Sequence, residues 1–222
     1  LLKAENIVLV DDEITTGKTL KNIIKELKEI VPNAKNYFAV SILNWMKEFD
    51  SEISYTYLLD GDFSFESFNY EPTENFISET ENTNFLDAII PSNFGRFGIK
   101  NTNIDYSKYI NIEELTDKKV LVIGTSEFMY QSYLVGAYLE ENGIDVYVQS
   151  TTRSPINVDG SILSRINFKD NYGENIDNFI YNVIDKKYDK VFILYETKEI
   201  SQLHNLKEQL DKYFYDVEII IF

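Results

Sequence analysis

"IVLVDDEITTGKTL", residues 7–20, decides how the rest of the chain is read. Four apolar residues lead into Asp11 and Asp12, a short polar run follows, and helix-forming residues take over after Gly17. The short β-branched run without alternation predicts a buried parallel strand that ends at Val10. Within residues 16–30, Leu20, Ile23, Ile24, Leu27 and Ile30 recur at helical spacing, and Pro32 with Asn33 closes the helix. "YFAVSIL", residues 37–43, predicts a second strand, so residues 6–43 form a β-α-β unit with parallel strands and a right-handed crossover. Lys18 and Thr19 after Gly17 look like the end of a Walker A loop. That loop needs a glycine at the position held by Asp12, so a P-loop is excluded.

The spacing supports a different ligand. Asp11 and Asp12 stand at the carboxyl end of a parallel strand, where open α/β sheets bind small molecules. Thr15, Thr16, Gly17, Lys18 and Thr19 then enter a helix whose first amides are unpaired and whose dipole is positive at that end, which suits a phosphate. Gly17 allows close backbone approach, and the threonines add hydroxyl donors. Two carboxylates beside that cradle cannot hold phosphate, but they accept hydrogen bonds from sugar hydroxyls or hold Mg²⁺ through water. The implied ligand is a sugar phosphate. A strand-to-helix turn with one capping threonine is the plainer reading, but a cap needs a single Ser or Thr rather than this whole set.

Further along, "SYTYLLDGDFSFESF" alternates on both sides of Asp60-Gly61-Asp62 and predicts a hairpin. "NYEPTENFISETENTN", residues 69–84, is acidic and aperiodic, a linker or irregular excursion, and "IIPSNFGRFGIKN" follows as a shaped loop. From residue 119 strands and helices alternate. "KVLVIG", "IDVYVQS", "DKVFILY" and "DVEIIIF" predict strands, and "ILSRINF" could be another. "EFMYQSYLVGAYLEEN", "NIDNFIYNVIDKK" and "ISQLHNLKEQLDKY" predict helices, giving a second, doubly wound parallel sheet. Gly124, Thr125 and Ser126 after one strand, and Thr151, Thr152, Arg153 and Ser154 after another, open on one edge of that sheet and are candidates for a second anion site. Arg96, Arg153 and Arg165 are the only arginines. Arg96 and Arg153 lie in loops and read equally well as anion ligands or as ion-paired anchors. The single histidine, His204, predicts a helix-surface residue.

"VLVDDEITTGKT" resembles the phosphoribosyl-pyrophosphate (PRPP) motif of type I phosphoribosyltransferases. The resemblance implies that Asp11 and Asp12 hold the ribose 2′- and 3′-hydroxyls, that Thr15 to Thr19 wrap the 5′-phosphate, and that Mg²⁺ accompanies PRPP, held indirectly by the aspartates. Purine-salvage members carry Asp where this chain has Thr15, which argues against hypoxanthine or guanine as acceptor. Glu13 replaces a usual apolar residue. "TTRSP", "RFG" and "GTSEFMY" look like the TRSP domain found C-terminal to a phosphoribosyltransferase domain in tellurium-resistance (ter) type stress operons of bacteria. The expected fold is the C-terminal β-α-β part of a flavodoxin-like phosphoribosyltransferase, followed by a Rossmann-like α/β domain. The expected division is 1–70 for the transferase part, 71–118 for a linker and the RFG loop, and 119–222 for the TRSP domain. In that family the PRPP strand comes late, so this stretch reads as part of a transferase domain, without pyrophosphate contacts and without turnover by itself.

Composition sets outer bounds. The chain has 222 residues, 44% of them hydrophobic, with a net charge of -16. So acidic a surface repels nucleic acid and anionic membrane, and neither is an expected partner. With no cysteine there is no disulfide, thiolate metal site or thiol nucleophile, which fits a cytoplasmic protein. No apolar run reaches the roughly 20 residues that span a bilayer. The expected partners are PRPP and an unidentified base, with a homodimer and ter-type operon proteins as the candidates among macromolecules. The leading reading is a PRPP-dependent transferase. The rivals are a non-catalytic PRPP or nucleotide sensor, and a TRSP domain acting on the transferase's product.

Overall fold

In a computed structural model of the chain, the described residues are 2–62, 64, 66, 75–77, 94–95, 98–99, 104–126, 128–196 and 199–222. They form two compact units, Leu1–Glu71 and Pro72–Phe222.

The first unit is a three-stranded parallel sheet with one helix. Strands β1 (Asn6–Ile14), β2 (Asn36–Asn44) and β3 (Ile53–Asp60) lie in that order, with helix α1 (Lys18–Ile30) between β1 and β2. Leu20 and Ile24 of α1 pack on Ile7, Tyr37, Ala39 and Ile53, each such burial stabilising by roughly 1.5–3 kcal/mol. The helix stops at Val31, whose amide still reaches the Leu27 carbonyl at 2.8 Å while its own φ of -120° leaves the helical region. Three details differ from the sequence reading. β1 runs four residues past Val10, because its ladder with β2 continues through Asp11 to Ile14, which is buried. "NIVLV" is covered on one face only: Val8 is 56% and Val10 78% exposed, and Phe38, Ile42 and Leu58 of the neighbouring strands are also exposed. "SYTYLLD" forms a single strand parallel to β2 instead of the first arm of a hairpin, and most of the second arm lies outside the described residues.

The second unit is built on a four-stranded parallel sheet, β11-β10-β6-β7: β6 (Lys119–Gly124), β7 (Asp145–Ser150), β10 (Lys190–Tyr195) and β11 (Val217–Ile221). Two short strands, β4 (Phe94–Gly95) and β5 (Gly98–Ile99), pair antiparallel. Alternation divides the sheet's side chains cleanly. Val120, Val122, Phe192 and Leu194 meet helix α2 (Met129–Glu141) and the turns around Tyr106 and Leu115. Leu121, Ile123, Val191, Ile193 and Tyr195 meet an antiparallel hairpin, β8 (Arg165–Lys169) with β9 (Asp177–Tyr181), and the short helix α3 (Leu206–Leu210).

The second layer departs from the sequence reading. "NIDNFIYNVIDKK" is not a helix. Ile176, Asn178, Phe179 and Ile180 are all buried, and a segment covered on both sides shows no strand alternation, so its apolar spacing imitates a helix. Of "ISQLHNLKEQLDKY" only five residues are α-helical, since the preceding turn folds His204 inward. His204 is buried rather than on a helix surface. Its Nδ1 lies 2.5 Å from the Lys169 carbonyl, which can only accept, so Nδ1 carries the proton and Nε2 accepts from the Tyr195 hydroxyl at 2.5 Å.

Burial holds the His204 imidazole below its usual value, against the opposing pull of the Lys169 carbonyl, Asp170 and Glu208. The unfolded chain, with His near 6.5, therefore takes up a proton before the folded one does. Stability should fall as pH drops from about 7.5 to 5.5. That slope should flatten in His204→Gln, as read by urea unfolding at the two pH values; an equal slope in the variant would remove His204 as its source.

Candidate functional site

The loop after β1 is exposed and polar. Asp11, Asp12, Thr15, Thr16, Lys18 and Thr19 all face solvent, and only Gly17 is buried among them. The aspartates lie near the end of β1: Asp11 Oδ1 accepts from the Asp12 amide at 3.0 Å, and Asp12 Oδ1 from the Glu13 amide at 2.9 Å. Gly17 caps α1 with φ 68°, a left-handed conformation that costs other L-residues roughly 1–2 kcal/mol. No side chain accepts from the helix N-terminus at the cap, and the first turn carries no acidic residue. Thr16 Oγ1 accepts only a long bond from the Lys18 amide, 3.4 Å. The positive end of a helix of 13 residues thus faces solvent without a competing carboxylate in its first turn.

Two residues that sequence reasoning passed over join this end of the sheet. Ser41 pairs in register with Asp11, and its buried Oγ has no hydrogen-bond partner. Met46 lies beneath the loop, with its sulfur and methyl 2.9 Å from where a Cβ on Gly17 would stand. No signal in the sequence marks either one, since both depend on parallel register. Glu13, whose polar character had no reading in the sequence, accepts a hydrogen bond from the Trp45 indole at 3.0 Å.

Mg²⁺ is a hard cation that keeps most of its waters and takes oxygen ligands. Exposed Asp11 and Asp12 offer that donor type, which fits the outer-shell role expected for them. Among the described residues no group of three or more His, Cys, Asp or Glu gathers to hold a metal, so an ion here would rely on ligand and water oxygens.

In the second unit, β6 and β7 end side by side, Gly124 opposite Ser150. Their loops are tied together: the Thr151 amide donates to the Gly124 carbonyl at 3.0 Å, and the Ser126 amide to Thr151 Oγ1 at 2.8 Å. The crossover from β7 back to β10, on the other side of β6, puts the switch point of the sheet between β6 and β10. The turn of the β8–β9 hairpin closes over this edge and brings buried polar groups with it. Tyr172 donates to Glu196 at 2.8 Å, Arg153 lies 3.6 Å from buried Glu174, and the Asp170 carboxylate accepts from the amides of Tyr172, Glu174 and Ile176. Of the anion candidates, Gly124, Thr125, Ser126, Thr152, Arg153 and Ser154 come together here. Thr125 Oγ1 is engaged with the Leu194 carbonyl and Arg153 with Glu174, so both already serve the fold. Arg96 lies outside the described residues. Among those residues no helix is long and apolar enough to cross a membrane.

The first unit thus has the strand, acidic pair and helix-start loop of phosphoribosyltransferases. A family model described as "Phosphoribosyl transferase" matches residues 1–58, and one described as "TRSP domain C terminus to PRTase_2" matches residues 93–210. The chain belongs to the TRSP family, its domain standing behind a phosphoribosyltransferase-type segment. No curated protein and no solved structure matches it.

Gly17→Ala should lower stability by about 1 kcal/mol through its positive φ, Met46 being flexible enough to yield. Urea unfolding measures the loss; an unchanged midpoint would mean that the loop relaxes out of the left-handed conformation.

Proposed function

We propose that the protein transfers a phosphoribosyl group from PRPP to a nitrogen base, with Mg²⁺ assisting. The C1–pyrophosphate bond breaks, a C1–N bond forms, and the base gives up its proton. The observation that carries this reading is the exposed acidic pair at the carboxyl end of β1, followed by a glycine-capped helix whose first turn has no carboxylate. The N-terminal amides and threonine hydroxyls of residues 15–19 hold the 5′-phosphate, and Asp11 and Asp12 hold the ribose hydroxyls. Mg²⁺, held through water by Asp11 and Asp12, would supply charge neutralisation for the departing pyrophosphate. The transition state carries oxocarbenium character, so these residues act by fixing the ribose while charge develops at C1. Thr15 favours an acceptor other than hypoxanthine or guanine. The family resemblance supports a setting in the bacterial cytoplasm, within a ter-type stress system.

In the full-length protein, Asp12→Asn should cut PRPP consumption by at least about tenfold, the loss of roughly one charge-assisted hydrogen bond. Unchanged turnover would sink the role of the aspartate. If PRPP binds by calorimetry but no offered base releases pyrophosphate, the protein is a sensor and not an enzyme.

A second reading concerns the TRSP domain. Its polar switch-point edge, where Tyr172, Glu174 and Glu196 are buried beside the exposed Arg153, supports a ligand site of its own there. Arg153→Ala should then leave PRPP affinity within about twofold of the parent by calorimetry. Loss of PRPP binding in this variant would overturn an independent site there.

A further inference from the structure

On the face of the first sheet that α1 covers, the three strands meet in successive rungs. Ile7, Tyr37 and Ile53 form one rung, Leu9, Ala39 and Tyr55 the next, and Asp11, Ser41 and Tyr57 the one nearest the carboxyl edge. The first two rungs belong to the apolar cluster under Leu20 and Ile24. Ser41 continues the position of that cluster but not its chemistry. It is 3% exposed, and its Oγ has no hydrogen-bond partner among the described residues. Tyr37 and Tyr55 also bury hydroxyls without partners there, but their rings supply packing area. Ser41 differs from alanine by its hydroxyl alone. A buried hydroxyl without a partner costs stability that an apolar group of the same shape would not. Packing therefore gives no reason for a serine at this position, and the orphaned group calls for another one.

Asp11 has the complementary shortage. Its Oδ1 accepts from the amide of its own neighbour, Asp12, and its Oδ2 has no partner among the described residues. Paired residues of adjacent strands project to the same face with the strands about 4.8 Å apart, so side-chain rotation alone brings a serine hydroxyl and a carboxylate on one rung into hydrogen-bond reach. Tyr57, the third member of the rung, stacks on Phe49 with ring centroids 6.4 Å apart. A buried donor and an exposed carboxylate thus share one rung with the bond between them unmade, directly before the loop that opens α1.

We propose that Ser41 is a positioning residue for the sugar phosphate: its hydroxyl donates to Asp11 Oδ2 when Asp11 turns from the Asp12 amide to the ribose hydroxyls. The carboxylate is then oriented from inside the sheet. The inference rests on the PRPP reading and deepens it by placing a second residue behind the aspartate. A charge-assisted bond formed only in the complex adds to affinity and not to the stability of the protein alone, and its loss corresponds to about tenfold in binding.

The test is Ser41→Ala in the full-length protein, read by calorimetry with PRPP and Mg²⁺ and by urea unfolding without them. PRPP affinity should fall about tenfold while the unfolding midpoint stays the same or rises. In an Asp11→Asn background, where the acceptor is neutral, the same substitution should cost about threefold or less. Affinity within about twofold of the parent overturns the role. A lower midpoint overturns it as well, since the hydroxyl would then have a partner in the protein by itself. An undiminished tenfold loss in the Asp11→Asn background would assign the bond to another group and overturn the pairing. In all three cases the parent still binds PRPP and that site stands; a parent that does not bind PRPP overturns both.

Discussion

The parallel pairing of β1 with β2 is the constraint on which the first unit depends. Register sets Asp11 beside Ser41 and Ile14 beside Asn44. Because both strands run the same way, everything that follows them emerges on one edge. The phosphate-type loop follows β1, the Trp45–Met46 turn follows β2, and Gly61 follows β3. A register slip of one residue would turn each side chain to the other face and separate these groups. The buried cluster of Leu20, Ile24, Ile7 and Tyr37 fixes that register, since only one alignment puts the apolar face of α1 on the apolar face of the sheet.

The second unit uses the same device with a different cover. One face of its parallel sheet is packed by α2, and the other by an antiparallel hairpin with a short helix. The hairpin's turn carries Asp170, Tyr172 and Glu174 over the carboxyl edge, where the amides of Tyr172, Glu174 and Ile176 converge on the Asp170 carboxylate. Gly124 is required at this edge by close approach: a Cβ there would lie 2.5 Å from Ser132 Oγ and 2.7 Å from the Phe128 carbonyl. The start of "GTSEFMY" and the "TTRSP" run thus lie where β6 and β7 end beneath the hairpin turn.

Charge adds a further condition. A protein with net charge -16 must build any anion site locally. In the first unit, α1 presents its N-terminal amides with no acidic residue in its first turn. In the second, Arg153, which reads from sequence equally well as an anion ligand or an ion-paired anchor, is paired with Glu174, so its charge is already partly balanced.

The sequence by itself determined the β-α-β unit, the acidic pair, the glycine at the helix start and the parallel strands β6, β7, β10 and β11. These are local matters: apolar runs, helical spacing and a residue whose backbone must turn left-handed. Only the tertiary structure decided what depends on neighbours. Apolar spacing in "NIDNFIYNVIDKK" fits a helix or a strand buried on both sides, and the choice fell to the sheet beneath it. His204 looked like a surface residue because its partners, Tyr195 and the Lys169 carbonyl, lie 9 and 35 positions away. Glu13 had no reading for the same reason: its partner Trp45 is 32 positions distant and reaches it only because two strands run in parallel.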